Sequence, residues 1–239
     1  MSVFIKLENS LRKSDYMIQF EEDDIKKKRI LKAFINTVRN LIRDEGIENV
    51  TIRKVANKAG YNSATIYNYF DNLNQLIFFG AISFLDDYVK AIPFYLNKSE
   101  DELDQFLLIW KCFVKNSFDN PQIFYAIFTE NIGDSSENLF KKYYELFPEE
   151  LDNIPKKYIP MLLESELSKR CSIHIKPCIK AGYFTTEKAE EVDERIRLVY
   201  HGMLSLMINN RLNYSKEEAT EVFMKYIRSI TKSQALNAR

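Results

Sequence analysis

The chain has 239 residues, and its 34 basic and 34 acidic side chains give a formal charge of zero at pH 7. A composition of 46% hydrophobic and 28% charged residues, with six glycines and six prolines, excludes collagen-like, low-complexity and wholly disordered proteins. The length allows one large or two modest domains. The zero charge argues against a protein that coats nucleic acid everywhere, but it permits a local basic patch.

Apolar residues recur at helical spacing from Ile25, and Gly46 is suited to end this first helix. Asn62 is the predicted N-cap of a short helix, and Asn72 with Gln75 reads as a capping box for the next one. The predicted helices of this half are Ile25–Gly46, Thr51–Gly60, Ser63–Tyr69 and a fourth from Asn72 to about Pro93.

The second half of the chain keeps the helical period. We expect Pro177 to kink or shorten the long segment in which it lies. No segment alternates with period two, and no Asn-Gly or Asp-Gly hairpin signal occurs, so the sequence predicts an all-α fold. The predicted helices here are Asp104–Phe118, Gln122–Glu130, Glu137–Phe147, Pro155–Gly182, Thr186–Arg211 and Ser215–Lys232.

Charge is distributed unevenly along the chain. Residues 1–24 form an acidic leader with three basic and six acidic side chains, whereas residues 25–74 carry ten basic and four acidic ones. A charge run is usually only a solvated helix face. Here, however, the basic segment contains a helix-turn-helix pattern, which favours a role in binding DNA.

The helix-turn-helix pattern lies in residues 51–70. Ala56 supplies a small side chain where two helices approach closely, and Gly60 supplies positive φ for the turn. The second helix has a polar, short-chained outer face that suits the major groove, where hydroxyls and amides read base edges. An ordinary helical corner inside a core is the alternative explanation.

Residues 30–76 resemble the DNA-binding region of the tetracycline-repressor (TetR/AcrR) family of bacterial regulators. The resemblance rests on Thr51–Ala56, on Ala59–Phe70 with its Thr65-Ile66-Tyr67-Asn68-Tyr69-Phe70 signature, and on the helix start at Asn72. It implies an N-terminal three-helix DNA-binding domain and a C-terminal helical domain for ligand binding and dimerisation. The corresponding divisions are 1–24, 25–72 and 73–239.

The resemblance assigns DNA contacts position by position. It places Thr51 at a helix cap beside a phosphate. It places Arg53, Tyr67 and Tyr69 at the sugar-phosphate backbone of DNA. The basic residues ahead of the first helix would contact phosphates or the minor groove. Packing is the alternative for the two tyrosines. The predicted DNA-binding residues are Lys27, Lys28, Thr51, Arg53, Ser63, Ala64, Thr65, Tyr67, Asn68 and Tyr69.

Three departures from the family pattern stand out. Leu73 replaces a lysine that usually clamps a phosphate, Ala64 replaces a common glycine, and the acidic leader is longer than usual. Leu73 and the leader support an alternative function, a helix-turn-helix adaptor or DNA-occlusion protein that acts through protein partners without a small effector.

The expected partners are a double-stranded DNA operator, a small-molecule effector of unknown identity and a second copy of the chain. One recognition helix reads too few bases, so we expect a homodimer on a palindrome with helices about 34 Å apart. The resemblance places the dimer interface on the last two helices, although their apolar stripes could also bury within one subunit. The predicted interface residues are Val199, Gly202, Met203, Leu206, Phe223, Tyr226, Ile227 and Ile230.

The middle region, about residues 95–182, is the expected effector domain. Aromatic residues at helical spacing are often plain core, and the lone histidines His174 and His201 lack metal-ligand spacing. We expect no metal and no cofactor. The predicted effector-binding residues are Trp110, Phe113, Tyr125, Phe128, Cys171 and His174.

The sequence carries no GxSxG, HExxH, P-loop or GxGxxG motif, so we expect no enzyme. Its three cysteines are an odd, sparse set, and Cys171 and Cys178 lie about 10 Å apart on one helix, too far for a disulfide. With no signal peptide, we expect a cytoplasmic, nucleoid-associated protein. The apolar stretches are shorter than the roughly 20 residues of a membrane span.

Overall fold

The computed structural model describes residues 22–129 and 136–236, and every regular element in these ranges is a helix. This confirms the all-α prediction. Residues 1–21 of the predicted acidic leader lie outside the described residues. The α-helices are α1 Glu22–Glu45, α2 Ile52–Ala59, α3 Ser63–Ile66, α4 Leu73–Ile82, α5 Asp86–Leu96, α6 Glu102–Asp119, α7 Pro121–Phe128, α8 Ser136–Leu146, α9 Ile159–Leu162, α10 Leu167–Lys180, α11 Thr186–Ile208 and α12 Lys216–Gln234.

The first three helices enclose a small core. Phe34 of α1 is fully buried, and its ring lies 5.1 Å from that of Tyr61 and 6.3 Å from that of Phe70. The turn between α2 and α3 places Gly60 at φ 76°, as the sequence predicts, and the N–H of Tyr61 donates to the Ala56 carbonyl at 2.9 Å. This bond closes α2 because glycine adopts the left-handed conformation without a steric cost.

Helix α4 packs along α1 and joins the three-helix unit to the rest of the chain. The close approach depends on Gly80, because a Cβ built there would overlap the Cγ1 atom of Val38. Both residues are buried in the contact between the two helices. Glycine is therefore required here for space, whereas Gly60 is required for its backbone conformation.

The remaining helices form a bundle around one aromatic-rich core. Helix α6 packs against α5, α10 and α12, and α11 packs against α10 and α12. Tyr200 of α11 is fully buried and shares a hydrogen bond of 2.7 Å with Ser117 of α6. This bond pairs two buried hydroxyl groups and links α6 to α11.

The α4–α5 and α3 boundaries differ from the sequence prediction. The predicted fourth helix is interrupted by a 3₁₀ turn at Ser83–Leu85, and α5 continues past Pro93 to Leu96. Helix α3 is four residues long, and the chain continues to Tyr69 as a turn with i→i+3 bonds, which are tighter than those of an α-helix.

The predicted long helix 155–182 is also broken, but Pro177 is not the cause. Pro177 lies inside α10, which runs to Lys180. The break falls between α9 and α10. There, Nη2 of Arg170 donates a hydrogen bond to the Leu162 carbonyl at 2.9 Å. Nε of Arg170 donates to the Glu164 carbonyl. These bonds satisfy carbonyl groups that the end of α9 leaves unpaired.

Candidate DNA-binding surface and interior cavity

The outer face of α3 and the turn that follows it presents polar side chains to solvent. Ser63, Ala64 and Asn68 are exposed, and Tyr67 is 58% exposed, whereas Ile66 points inward and is fully buried. Residues at these positions share one side of a helical segment. The structure therefore brings most of the predicted base-contacting residues together on one surface.

A side-chain cap fixes the start of α2, and another fixes the start of α3. The N–H of Lys54 donates to Oγ1 of Thr51 at 3.3 Å, so Thr51 caps α2 as predicted. At α3, both the N–H and the hydroxyl of Thr65 donate to Oδ1 of Asn62, at 2.9 and 3.0 Å. Thr65 is half-buried and its hydroxyl proton is already engaged, so its remaining acceptor and its methyl group are what it offers to a base.

The predicted backbone-contacting residues differ in accessibility. Arg53 is exposed on α2 and makes no ion pair with any residue of the described ranges. Tyr69 is half-buried, and its ring lies 6.0 Å from that of Phe34. Tyr69 thus packs in the core of the three-helix unit, whereas Tyr67 is exposed enough to reach a phosphate. Leu73 is half-buried and packs against the core.

Glu45 binds two of the basic side chains of this unit. Its carboxylate lies 2.8 Å from Nζ of Lys54 and 2.9 Å from Nζ of Lys58, which ties the end of α1 to α2. Hydrogen bonds from these two ammonium groups lower the pKa of Glu45 to about 2. Glu45 therefore stays ionised at neutral pH and offsets part of the positive charge that the sequence places here.

A second acidic residue, Glu149, reaches the basic run at the start of α1. It belongs to the 3₁₀ turn Pro148–Leu151 that follows α8, and its carboxylate lies 2.9 Å from Nζ of Lys28 and 2.8 Å from Nζ of Lys32. Both ammonium groups also lie over the ring of Phe147, at 5.6 and 5.2 Å. Lys28, a predicted DNA contact, is thus held by the C-terminal domain; Lys27 is exposed at the surface of α1.

Beside this contact lies a half-buried pair of acids. The hydroxyl of Tyr143 lies 3.2 Å from Oε1 of Glu150 and 3.4 Å from Oδ1 of Asp86. Burial raises the pKa of Asp86, although Arg39 lies nearby, at 3.9 Å. Burial and the charge of Asp86 raise the pKa of Glu150 to about 8. The pair therefore retains a proton near neutral pH, at the contact between the two domains.

An interior cavity lies between α5, α6, α9 and α10. Its volume is about 20 Å³, enough for about one water molecule. Four of the six predicted effector residues line it, and five more residues that the sequence analysis did not select complete its wall. The first group is Trp110, Phe113, Cys171 and His174, and the second is Tyr88, Ile109, Met161, Leu167 and Arg170.

The other two predicted effector residues do not line the cavity. Tyr125 is half-buried on α7, and Phe128 packs with its ring 5.6 Å from that of Phe113. Arg170 was missed although its position carries a signal. It falls on the buried stripe of α10 with Leu167, Cys171 and His174, and an arginine on the apolar side of an amphipathic helix is rare unless it has a specific partner.

The last two helices have an exposed apolar surface. Leu198 and Leu206 on α11 are 66% and 43% exposed, and Tyr226 on α12 is 52% exposed. Gly202 is exposed, and a Cβ built there would meet nothing within 4 Å. We call Leu198, Gly202, Leu206 and Tyr226 the α11–α12 face.

The other predicted dimer residues lie deeper. Phe223 and Ile227 are fully buried inside the subunit, and Met203 is 7% exposed. Val199 and Ile230 are half-buried. These five residues support the surface from below, and the exposed apolar contacts available to a partner come from the α11–α12 face.

Comparison with known proteins agrees with this arrangement. Residues 34–78 match the model of the family described as bacterial regulatory proteins, tetR family. No curated protein matches the sequence. Within the described ranges, no helix has the length and apolar character needed to cross a membrane, and no three His, Cys, Asp or Glu side chains are grouped as metal ligands would be.

Solved structures share the fold at low sequence identity. A protein from Syntrophomonas wolfei assigned to the TetR-family transcriptional regulators has a TM-score of 0.58 at 15% identity, with 85% of this chain and 95% of that chain covered. RolR in complex with its ligand resorcinol gives 0.56 at 16%, covering 89% and 91%. The fatty acid degradation regulator FadR from Bacillus halodurans gives 0.53 at 14%, covering 84% and 94%. The family resemblance is therefore confirmed, and the chain has the fold of TetR-family transcriptional regulators.

Proposed function

We propose that this chain, which has the TetR-family fold, is a ligand-responsive transcriptional repressor. It binds a palindromic DNA operator as a homodimer, and a small-molecule effector releases it. The observation that carries the proposal is the exposed polar surface formed by Ser63, Ala64, Tyr67 and Asn68 on a helix-turn-helix. Such a surface fits the major groove, where amide and hydroxyl groups form hydrogen bonds to base edges.

The backbone contacts of this reader come from the surrounding residues. Arg53, exposed on α2, and the Tyr67 hydroxyl bind phosphates on either side of the groove, and Lys27 and Lys28 extend the contact from the start of α1. Phosphate contacts supply affinity that depends steeply on salt, whereas base contacts supply specificity. Arg53 is therefore expected to set the overall affinity and Asn68 the choice of sequence.

Dimerisation follows from the small size of the reader. One short helix contacts too few base pairs to specify an operator, so two copies read two half-sites related by a two-fold axis. The α11–α12 face is the surface that we assign to the partner copy, because exposed apolar side chains of this size are buried in stable interfaces.

The interior cavity is the site that we assign to the effector. RolR, which has the same fold, binds resorcinol, and the cavity of this chain lies in the domain that contacts α4 and α1. Its small volume means that a ligand must displace side chains to enter. A ligand that binds more tightly to the conformation with displaced side chains favours that conformation, and this difference in affinity can shift the position of the DNA-binding unit.

The test compares three proteins on duplexes recovered by selection from a genomic library. Wild-type protein, Tyr67→Ala/Asn68→Ala and the loop control Tyr214→Ala, also an exposed tyrosine, are titrated by fluorescence anisotropy. We expect the double variant to lose about tenfold or more in specific affinity and the control to bind like wild type. Equal affinity of all three would contradict the proposal, and the absence of any duplex binding would favour the adaptor hypothesis.

A further inference from the structure

The wall of the cavity includes a buried arginine that forms no ion pair with any described residue. Arg170 is 3% exposed and makes no ion pair with a carboxylate among the described residues. Two backbone carbonyls and the rings of Phe128 and Phe140, at 4.9 and 4.8 Å, are the contacts that stabilise its guanidinium. The negative charge of Glu164 acts on the guanidinium from a distance without forming an ion pair, so an anion that entered the cavity would gain a strong, charge-assisted partner.

Two more polar atoms on the cavity wall lack partners. Nε1 of Trp110 and Nε2 of His174 are buried and form no hydrogen bond with any residue of ranges 22–129 and 136–236. Trp110 and His174 are 3% and 6% exposed. Buried polar atoms are nearly always paired in native proteins. Trp110 and His174 line the same cavity as Arg170, so together they offer hydrogen bonds to a polar ligand.

His174 enters this site as a neutral ring. Burial, with the nearby charge of Lys157, lowers its pKa to about 3. A neutral imidazole has one N–H and one acceptor nitrogen, so Nε2 of His174 can donate or accept according to the tautomer. The indole N–H of Trp110 only donates. Arg170 is thus the one positive charge among the residues that line the cavity, and the charge that it can balance is a single negative one.

Aromatic rings form part of the remaining wall. The ring of Phe113 lies 5.4 Å from that of Tyr88 and 5.8 Å from that of Trp110, both in edge-to-face geometry. A planar ring can stack against or fit edge-on to such walls. Met161, which also lines the cavity, has a flexible side chain that can move aside for a small ligand.

We propose that this cavity binds a small aromatic carboxylate, with its carboxylate on the Arg170 guanidinium and its ring between Tyr88, Trp110 and Phe113. Nε donates to the Glu164 carbonyl and Nη2 donates one proton to the Leu162 carbonyl, so the edge formed by Nη1 and Nη2 is the one that pairs with the two carboxylate oxygens. The indole N–H of Trp110 and Nε2 of His174 bind the remaining polar atoms of the ligand. Resting on the proposed function, this anion is also the effector that releases DNA.

Packed rings connect the site to the DNA-binding unit. Arg170 lies over Phe140 of α8, and the Phe140 ring lies 5.4 Å from that of Phe78 on α4. Helix α4 in turn packs on α1 through Gly80 and Val38. When a carboxylate draws the guanidinium toward the cavity, Phe140 loses its cationic neighbour and α4 can shift against α1.

Binding is tested first on the full chain without DNA, by calorimetry and by thermal shift, with benzoate as the probe. Benzamide has the same ring without the charge, and hexanoate has the charge without the ring. We expect benzoate to bind and to raise the melting temperature, and both other compounds to bind about tenfold or more weakly. Equal binding of hexanoate would overturn the aromatic assignment, and equal binding of benzamide would overturn the anionic one.

Two variants locate the binding site. Arg170→Gln is expected to weaken benzoate binding about tenfold or more, whereas the exposed control Arg228→Gln is expected to bind like wild type. If Arg170→Gln does not fold, Trp110→Phe removes the indole N–H, keeps a ring and should weaken binding several-fold. Absence of benzoate binding in wild type, or binding that neither Arg170→Gln nor Trp110→Phe weakens, would contradict the site.

The effector role has a separate readout. Benzoate added to a complex of the protein with its selected operator is expected to release the DNA from wild type and not from Arg170→Gln. Binding of benzoate to free protein without release of DNA would overturn the effector role and leave the repressor proposal intact. Failure of the free protein to bind any duplex would instead overturn the proposed function, whatever the result with benzoate.

Discussion

Glu149 accepts a hydrogen bond from Nζ of Lys28 at 2.9 Å, although 121 residues separate the two in sequence. The bond joins the turn after α8 to the beginning of α1, and Lys32 binds the other oxygen of the same carboxylate. Lys28 is one of the residues that we expect to contact DNA phosphates. The C-terminal domain therefore supplies an anion for an ammonium group that we expect to bind DNA, and we expect the two to compete.

The first prediction concerns this competition. Glu149→Gln removes one negative charge beside α1, so affinity for a duplex of arbitrary sequence should rise about two- to fivefold at low salt, a change of up to about 1 kcal/mol. The gain should shrink as salt is added. Fluorescence anisotropy at several salt concentrations measures it. The control is Glu221→Gln, which removes the same charge from the pair that Lys111 forms with Glu221; unchanged or weaker binding by Glu149→Gln would contradict the competition.

The acid pair predicts how stability depends on pH. Burial and the charge of Asp86 raise the pKa of Glu150 to about 8 in the folded protein, above the value of 4.5 for the free side chain. Between these values the folded state binds more protons than the unfolded state, so stability falls as the pH rises. Arg39 and Lys90 lie near Asp86 and moderate the effect without reversing it.

Glu150→Gln should reduce this pH dependence, because an amide replaces the protonated acid without titrating, while Asp86 remains buried. We expect the melting temperature of wild type to fall between pH 6 and pH 9 and that of the variant to fall less. The two proteins should differ most at pH 9, where the variant is the more stable. Parallel curves, or a variant that is less stable at pH 9, would show that Glu150 does not hold the proton.

The contact between α1 and α4 can be tested at Gly80. Gly80→Ala should destabilise the protein by about 1–3 kcal/mol because the new methyl group overlaps Val38, although alanine regains about 1 kcal/mol of helix propensity. The double variant Val38→Ala/Gly80→Ala should recover part of the loss, because it removes the Cγ1 atom that overlaps the new methyl group, whereas the Cβ atom of residue 38, at 2.8 Å from that group, stays. Urea unfolding measures all three proteins. A single variant as stable as wild type would mean that the helices do not approach as closely as the structure indicates.

The α11–α12 face predicts the behaviour of the dimer. Leu198→Glu places a charge at the most exposed leucine of this face, so it should shift the protein to monomer in sedimentation equilibrium and abolish operator binding. Gly202→Ala should weaken the dimer without destabilising the subunit, because the subunit itself leaves room for a Cβ. The control is Phe94→Glu on α5, a side chain that is 65% exposed. Dimers that persist in Leu198→Glu would exclude this face as the interface.

Local signals in the sequence predicted the DNA-binding unit well. The Thr51 cap, the Asn62 cap and the positive φ of Gly60 follow from residues within about 20 positions of one another. Helix caps and turns depend on short-range backbone geometry, which a sequence displays directly. The roles assigned to individual residues at DNA remain predictions.

Long-range contacts were the part that the sequence could not predict. Glu149 and Lys28 meet only because α8 packs near α1, and Arg170 ends α9 by binding carbonyl groups that precede it by six and eight residues. The helix break at residues 163–166 thus depends on an arginine inside the next helix. Helical periodicity carries no information about such a contact. The sequence therefore predicts a break at Pro177, whereas the structure has it before Arg170.

We assign Arg53, Tyr67 and Asn68 to a surface that binds double-stranded DNA and recognises its sequence. The most direct measurement is selection of duplexes from a random library by the full chain, followed by titration of the selected duplex over a range of salt concentrations. We predict a palindromic motif with half-sites about one helical turn apart, and an affinity that falls steeply as salt rises. Recovery of no preferred sequence, together with no duplex binding at low salt, would contradict the account.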